Sequence, residues 1–186
     1  MSLILEQGID WMRQAARETH TGGNKIMFVD NGGSAGISSH LAIDYSKNGG
    51  LRATAFNDPA ALTCLGNDLG YDQVFAKLLE LRLRPADLLV AISSSGRYAN
   101  ILNAVAVARS GGARIVTFCG FGADNALRLA GDVNFYVGSS EYGFVEVAHL
   151  SLCHGALDIE MSLRGGYHPA AARGRDLTGR IDGKSL

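Results

Sequence analysis

Short apolar runs alternate with segments of helical spacing along most of this chain. The runs near residues 25–30, 51–56, 86–92, 113–118 and 132–137 predict strands. The segments near 34–47, 71–82, 98–110, 123–130 and 143–164 predict helices. Strands separated by helices imply βαβ units. The expected fold is therefore α/β, with a parallel five-stranded sheet, helices on both faces and right-handed crossovers. One further segment, from about Leu3 to Thr21, precedes the alternation. Leu5, Ile9, Met12 and Ala16 recur there at helical spacing, and Gly22-Gly23 stops the helix. An amphipathic helix outside the alternation needs a partner for its apolar face.

Two of the predicted strands empty into similar turns. The run Asp87–Ile92 ends in Ser93-Ser94-Ser95-Gly96 and then a helix. The run Lys25–Asp30 ends in Asn31-Gly32-Gly33-Ser34 and then another helix. Unpaired N–H groups and the positive end of a helix face whatever sits in such a turn, and hydroxyls add donors. Each turn is thus a candidate anion site, and the pair suggests a phosphorylated small molecule held between them. Serine also caps helices with no ligand present, but one cap explains one serine, not three before a glycine. Asp30 is mildly unfavourable beside an anion. Neither turn has the G-x-G-x-x-G or G-x-x-x-x-G-K-[ST] order, so a dinucleotide or nucleoside triphosphate is unsupported.

Composition narrows the picture. With 186 residues, 47% hydrophobic and 19% charged, the chain suits one globular domain. A net charge of −1 and the lack of a Lys/Arg cluster argue against nucleic acid or an anionic membrane as partner. Cys64, Cys119 and Cys153 are odd in number and far apart, and read as reduced thiols. Without a signal-peptide pattern or an apolar run of spanning length, the expectation is a cytoplasmic protein.

With both turns located, the chain resembles the sugar isomerase (SIS) domain family, and within it the branch that isomerises sedoheptulose 7-phosphate. The resemblance covers roughly residues 2–164. It rests on five ordered pieces: Asn31-Gly-Gly-Ser34, His40-Leu-Ala-Ile-Asp44, Gly66-Asn67-Asp68-Leu-Gly70, Ile92-Ser-Ser-Ser-Gly96, and Glu146-Val-Ala-His149 with His154. It implies a three-layer αβα sandwich of flavodoxin-like or Rossmann-like type. Residues 1–164 would form the SIS domain, with a helix over 2–22, and residues 165–186 a flexible or partner-draped tail.

The activity the resemblance implies is a ketose–aldose phosphate isomerisation through an enediol, an intramolecular oxidoreduction. That chemistry needs a base beside a carbonyl, an acid for the oxygens, and stabilisation of enediolate charge. By position, the family's catalytic pair falls on Asp44 and His154. Its substrate-binding residues fall on Asn31, Gly32, Gly33, Ser34, Asn67, Asp68, Ser93, Ser94, Ser95, Tyr98 and Glu146. Its metal set, zinc or another divalent ion, falls on His40, Asp44, Glu146 and His154. Asp44 stands where relatives carry glutamate, Glu146 where they carry glutamine, and Tyr98 where many carry serine. Resemblance also implies a homotetramer, with the first and last helices at its centre. The alternative class is a non-catalytic SIS scaffold, either a replication-initiator-binding protein or a sugar-phosphate sensor.

Spacing tests two of these groups. His40 and Asp44 stand four apart and share a helix face. Glu146 and His154 stand eight apart, which on one helix means about 80° of rotation and about 12 Å of rise. Either that helix begins after Glu146, or separate subunits supply the two groups. His149, among Val147, Ala148 and Leu150, reads as a hydrogen-bonded packing residue.

Overall fold

Strand side chains alternate between two cores, one on each face of a single sheet. Ile26, Phe28, Leu88, Val90, Ile92, Val116, Phe118, Val133 and Phe135 belong to one core. Met27, Val29, Leu89, Ala91, Ile115 and Cys119 belong to the other. This is the period of two expected of a strand, with both faces buried because both are covered by helices.

The computed structural model describes residues 4–165. The chain runs α1 (Leu5–Thr21), β1 (Ile26–Val29), α2 (Gly32–Lys47), β2 (Ala53–Ala55), α3 (Pro59–Leu69), α4 (Val74–Arg82), β3 (Leu88–Ser93), α5 (Ala99–Ser110), β4 (Arg114–Cys119), β5 (Val133–Tyr136) and α6 (Tyr142–Leu163). All strand pairings are parallel, in the order β2-β1-β3-β4-β5. The first core takes Met12, Ala15 and Ala16 of α1, Leu41 and Tyr45 of α2, and Cys153, Ala156 and Leu157 of α6. The second takes Val74, Phe75, Leu78 and Leu79 of α4 and Ile101, Ala104, Val105 and Ala108 of α5. The three-layer α/β expectation holds.

Three local expectations change. Residues 57–70 received no element from periodicity, yet Pro59–Leu69 is helical: Asp58 caps it by accepting from the Ala61 N–H at 2.8 Å, and Pro59 fills the first turn. The helix expected over 71–82 begins as a 3-10 turn, Tyr71–Gln73, before α4. The helix expected near 123–130 is only a 3-10 turn, Ala126–Leu129, because Asn125 pins its start by donating to the carbonyls of Gly120 and Gly122.

Helix α1 also finds its partner within the chain. It packs on α6 and β5, and the Phe135 ring fills the space where Gly8 lacks a side chain. Among the described residues no helix is long and apolar enough to cross a membrane. Apart from Gly165, the expected tail over 165–186 lies outside the described residues, as do residues 2 and 3 of the expected N-terminal helix.

Candidate active site

The strand order reverses between β1 and β3, and the two glycine-serine turns lie at the carboxyl ends of these two strands. Open α/β sheets bind ligands in the crevice at such a switch point. Both following helices start without a side-chain cap: Asn31 before α2 and Tyr98 before α5 make no cap bond. Their first N–H groups therefore face the crevice with the positive helix ends behind them.

The second turn is the better anion site. Gly96 has φ +63, and a Cβ there would lie 2.0 Å from Asn125 Oδ1, so only glycine closes the loop. Ser93 Oγ accepts from the Gly96 N–H at 3.2 Å, and Ser95 Oγ from the Arg97 N–H at 3.4 Å. The Ser94 hydroxyl is buried without a partner in the protein. A buried hydroxyl in that state has hydrogen-bonding capacity to spare for a ligand. Arg97 adds a guanidinium beside the turn, paired at 2.8 Å with Asp124.

The first turn is electronegative. Ser34 Oγ donates to Glu146 Oε1 at 3.2 Å, and a Cβ on Gly33 would meet the same carboxylate oxygen at 3.3 Å. Beneath it Asp30 is buried, with one oxygen accepting from the Asn31 N–H at 2.6 Å and the other unpartnered. Burial pushes the Asp30 carboxyl well above the usual carboxylate range; nearby Glu146 adds to this, while the Asn31 N–H and Ser34 hydroxyl oppose it.

Helix α6 runs alongside α2 in the same direction. Glu146 meets Gly33 and Ser34 at the start of α2, His154 meets His40 and Asp44 at its middle, and Leu157 meets Gly49 just past its end. His40 Nε2 lies 3.3 Å from Asp44 Oδ2, and His154 Nδ1 lies 3.8 Å from the same oxygen. The two imidazoles sit 5.2 Å apart between centroids. One donor atom from each of His40, Asp44 and His154 lies within 4.8 Å of the others. Two imidazole nitrogens and a carboxylate oxygen suit a divalent ion and leave positions open for substrate.

Glu146 is not in that group. Because α6 begins at Tyr142, the option that the helix starts after Glu146 is excluded, and the eight-residue offset sends Glu146 and His154 to different turns of α2. His149 is fully buried, its Nε2 3.2 Å from the Cys119 carbonyl and its ring edge-on to Phe118. Burial pushes its pKa down to about 4, opposed by the Cys119 contact.

The remaining expected residues are more peripheral. Asn67 and Asp68 are exposed on α3, where Asn67 donates to Asp68 at 3.0 Å, and no hydrogen bond among the described residues joins either to the two turns. Tyr98 is half exposed at the start of α5. Sequence reasoning passed over Asn100 and Tyr71, which bond the Asn31 side chain at 2.8 and 3.0 Å. Only the glycine and polar residues around Tyr71 hinted that its segment turns back toward the site.

The fold is thus a doubly covered parallel α/β sheet with one anion-type and one acidic turn at its switch point, and a His-Asp-His group further along α2 and α6. The family model described as "SIS domain" matches residues 4–120, and the chain belongs to this family. It is 36% identical over 165 residues to a phosphoheptose isomerase from Akkermansia muciniphila, covering 85% of this chain and 87% of the relative. It is 33% identical to a phosphoheptose isomerase from Aliarcobacter butzleri, over 81% of this chain and 82% of the relative. The structure of phosphoheptose isomerase GmhA from Neisseria gonorrhoeae superposes with a TM-score of 0.77 at 30% identity, covering 84% of this chain and 87% of that one.

Proposed function

We propose that this chain is a phosphosugar isomerase that interconverts sedoheptulose 7-phosphate, or a closely similar ketose phosphate, and its aldose phosphate through an enediol. The observation that carries the proposal is the convergence of Asp44 and His154 from two helices, of which α2 begins at the first of the turns. Relatives similar over most of the chain bear the name phosphoheptose isomerase, which supports the same substrate class.

Electrostatics orients the substrate. The phosphate belongs at Ser93–Gly96, with its uncapped helix, unpartnered Ser94 hydroxyl and Arg97, because a dianion at Asn31–Ser34 would face Asp30 and Glu146. Sugar hydroxyls, which can donate, suit the Glu146 carboxylate.

The Asp44 carboxylate takes the C1 proton of the ketose. His154 gives a proton to O2 and accepts one from O1, and Asp44, its proton exchanged with water while the enediol stands, protonates C2. No proton or electron is gained or lost overall. His40, Asp44 and His154 would hold a divalent ion, zinc by family resemblance. The chemistry such an ion supplies when bound is polarisation of the carbonyl and neutralisation of enediolate charge.

A homo-oligomer, a tetramer by resemblance, completes the proposal. Helix α6 leaves Phe144, Val147, Ile159 and Leu163 exposed, and α2 leaves Ile43 exposed. Such side chains on adjacent helices favour burial against further copies. The free cysteines, two of them buried, support a cytosolic location. Incubating the purified protein with sedoheptulose 7-phosphate and resolving the sugars by NMR tests the activity. An aldose heptose phosphate must appear and approach a fixed ratio; an unchanged ketose spectrum contradicts the proposal.

A further inference from the structure

The Asn31 side chain has almost no hydrogen-bonding capacity left for a ligand. Its Oδ1 accepts from the Asn100 amide at 2.8 Å and from the Tyr71 hydroxyl at 3.0 Å. Its Nδ2 donates to Asn100 Oδ1 at 2.9 Å. An amide oxygen has two lone-pair sites, and both are filled; one amide hydrogen remains. The Asn31 backbone N–H is also committed, to Asp30 Oδ1.

Three segments meet at this amide: the turn after β1, the start of α5, and the 3-10 turn that follows α3. Asn100 is buried, and its Oδ1 also accepts from the Ile101 N–H at 2.9 Å, so its amide orientation is set by α5 itself. One helical turn further, Asn103 donates to the Asp72 carbonyl at 3.0 Å and ties the 3-10 turn to α5. Helix α3 buries none of its residues fully; at its start Asn57 donates to the Ala35 carbonyl at 2.7 Å, and past its end the Tyr71 hydroxyl bonds the Asn31 side chain. Among the described residues, the side-chain hydrogen bonds between the two anion turns and their helix starts all run through Asn31 and Asn100.

We infer that Asn31 is a keystone: with Asn100 and Tyr71 it fixes the separation of the two turns, so Tyr71 and Asn100 are positioning residues for a ligand that spans both. The inference rests on the phosphosugar reading of the site. A ligand touching one turn alone is indifferent to this separation. A sugar phosphate, anchored at Ser93–Gly96 and reaching the turn after β1, depends on it.

The test compares Tyr71→Phe, Asn100→Ala and the double variant. With sedoheptulose 7-phosphate as substrate, Tyr71→Phe raises KM about fivefold, the size expected for one neutral hydrogen bond, with kcat changed less than about twofold. The same change adds nothing in the Asn100→Ala background, because the two act through one shared amide. Affinity for inorganic phosphate, measured by calorimetry, stays at the wild-type value in Tyr71→Phe. An unchanged or lower KM in Tyr71→Phe overturns the inference. So does a lower melting temperature with no change in KM. Hydrogen exchange needs no turnover and so separates this inference from the isomerase reading. Tyr71→Phe must speed amide exchange at both 31–34 and 96–101, and an effect confined to 71–73 overturns the keystone.

Discussion

The Tyr45 hydroxyl donates a 2.9 Å hydrogen bond to the Cys153 carbonyl, and each of these residues adjoins one member of the proposed acid/base pair, Asp44 and His154. The bond crosses between α2 and α6 in a fully buried setting, with the Tyr45 ring edge-on to Phe28 at 5.4 Å. It therefore fixes the spacing of the two helices at the point where the chemistry is placed. Tyr45→Phe keeps the packing and removes the bond. It should cost about 1 kcal/mol of stability and lower kcat on the order of tenfold, since small misplacements of reacting groups are expensive. Denaturant unfolding and steady-state kinetics check both numbers.

Asp44→Asn keeps the shape of the base and removes its basicity; His154→Ala removes the proton carrier for the oxygens. Each should lower turnover on the order of a hundredfold or more while leaving the circular dichroism spectrum and the oligomer unchanged. Turnover within a few-fold of wild type in either variant contradicts the role given to that residue.

Removing divalent metal with a chelator should abolish most turnover, and zinc or a similar ion should restore it. His40→Ala should reduce metal content by elemental analysis of the purified protein, because His40 supplies one of the donor atoms grouped within 4.8 Å. A metal-free wild type with full activity contradicts the proposed cofactor.

His149 makes stability pH-dependent in a defined direction. Its folded pKa of about 4 lies below the unfolded value near 6.5, so the unfolded chain binds the extra proton between those values. Its contribution is fully present above about pH 6.5 and is lost as pH falls toward 4, by up to about 3 kcal/mol. His149→Gln should flatten this part of the stability curve, measured as the wild-type-minus-variant difference so that Asp30, whose carboxyl burial pushes up, cancels.

Gly96→Ala forces a Cβ into Asn125 at a φ of +63. It should cost about 2 kcal/mol and weaken phosphate binding, because the loop must open to accommodate it. Calorimetry with inorganic phosphate reads the second effect directly.

Much of this architecture was legible in the residue pattern. The five apolar runs became the five strands, since parallel strands buried on both faces leave an uninterrupted apolar signature. His40 and Asp44 were readable as neighbours because four residues make one helical turn. What the pattern did not carry was tertiary. Helix α3 buries no residue fully, and its apolar face is short, Ala61, Leu62 and Leu65; its clearest evidence was chemical, in Asp58-Pro59. The eight-residue offset between Glu146 and His154 already told that one helix would part them; that α6 lies along α2, and so sends each to a different turn of it, no local spacing encodes. The bonds from Asn31 to Asn100 and Tyr71 join residues 69 and 40 positions apart, and polar pairs at such range leave no periodic trace.

The central claim is that Asp44 and His154 carry out an enediol isomerisation, and deuterium exchange tests it most directly. Sedoheptulose 7-phosphate is incubated with the protein in deuterated water and followed by NMR, alongside Asp44→Asn. We expect deuterium at the carbon next to the carbonyl and growth of the aldose with wild type, and neither with Asp44→Asn. Aldose formation without any deuterium uptake, or equal uptake with Asp44→Asn, would contradict the account.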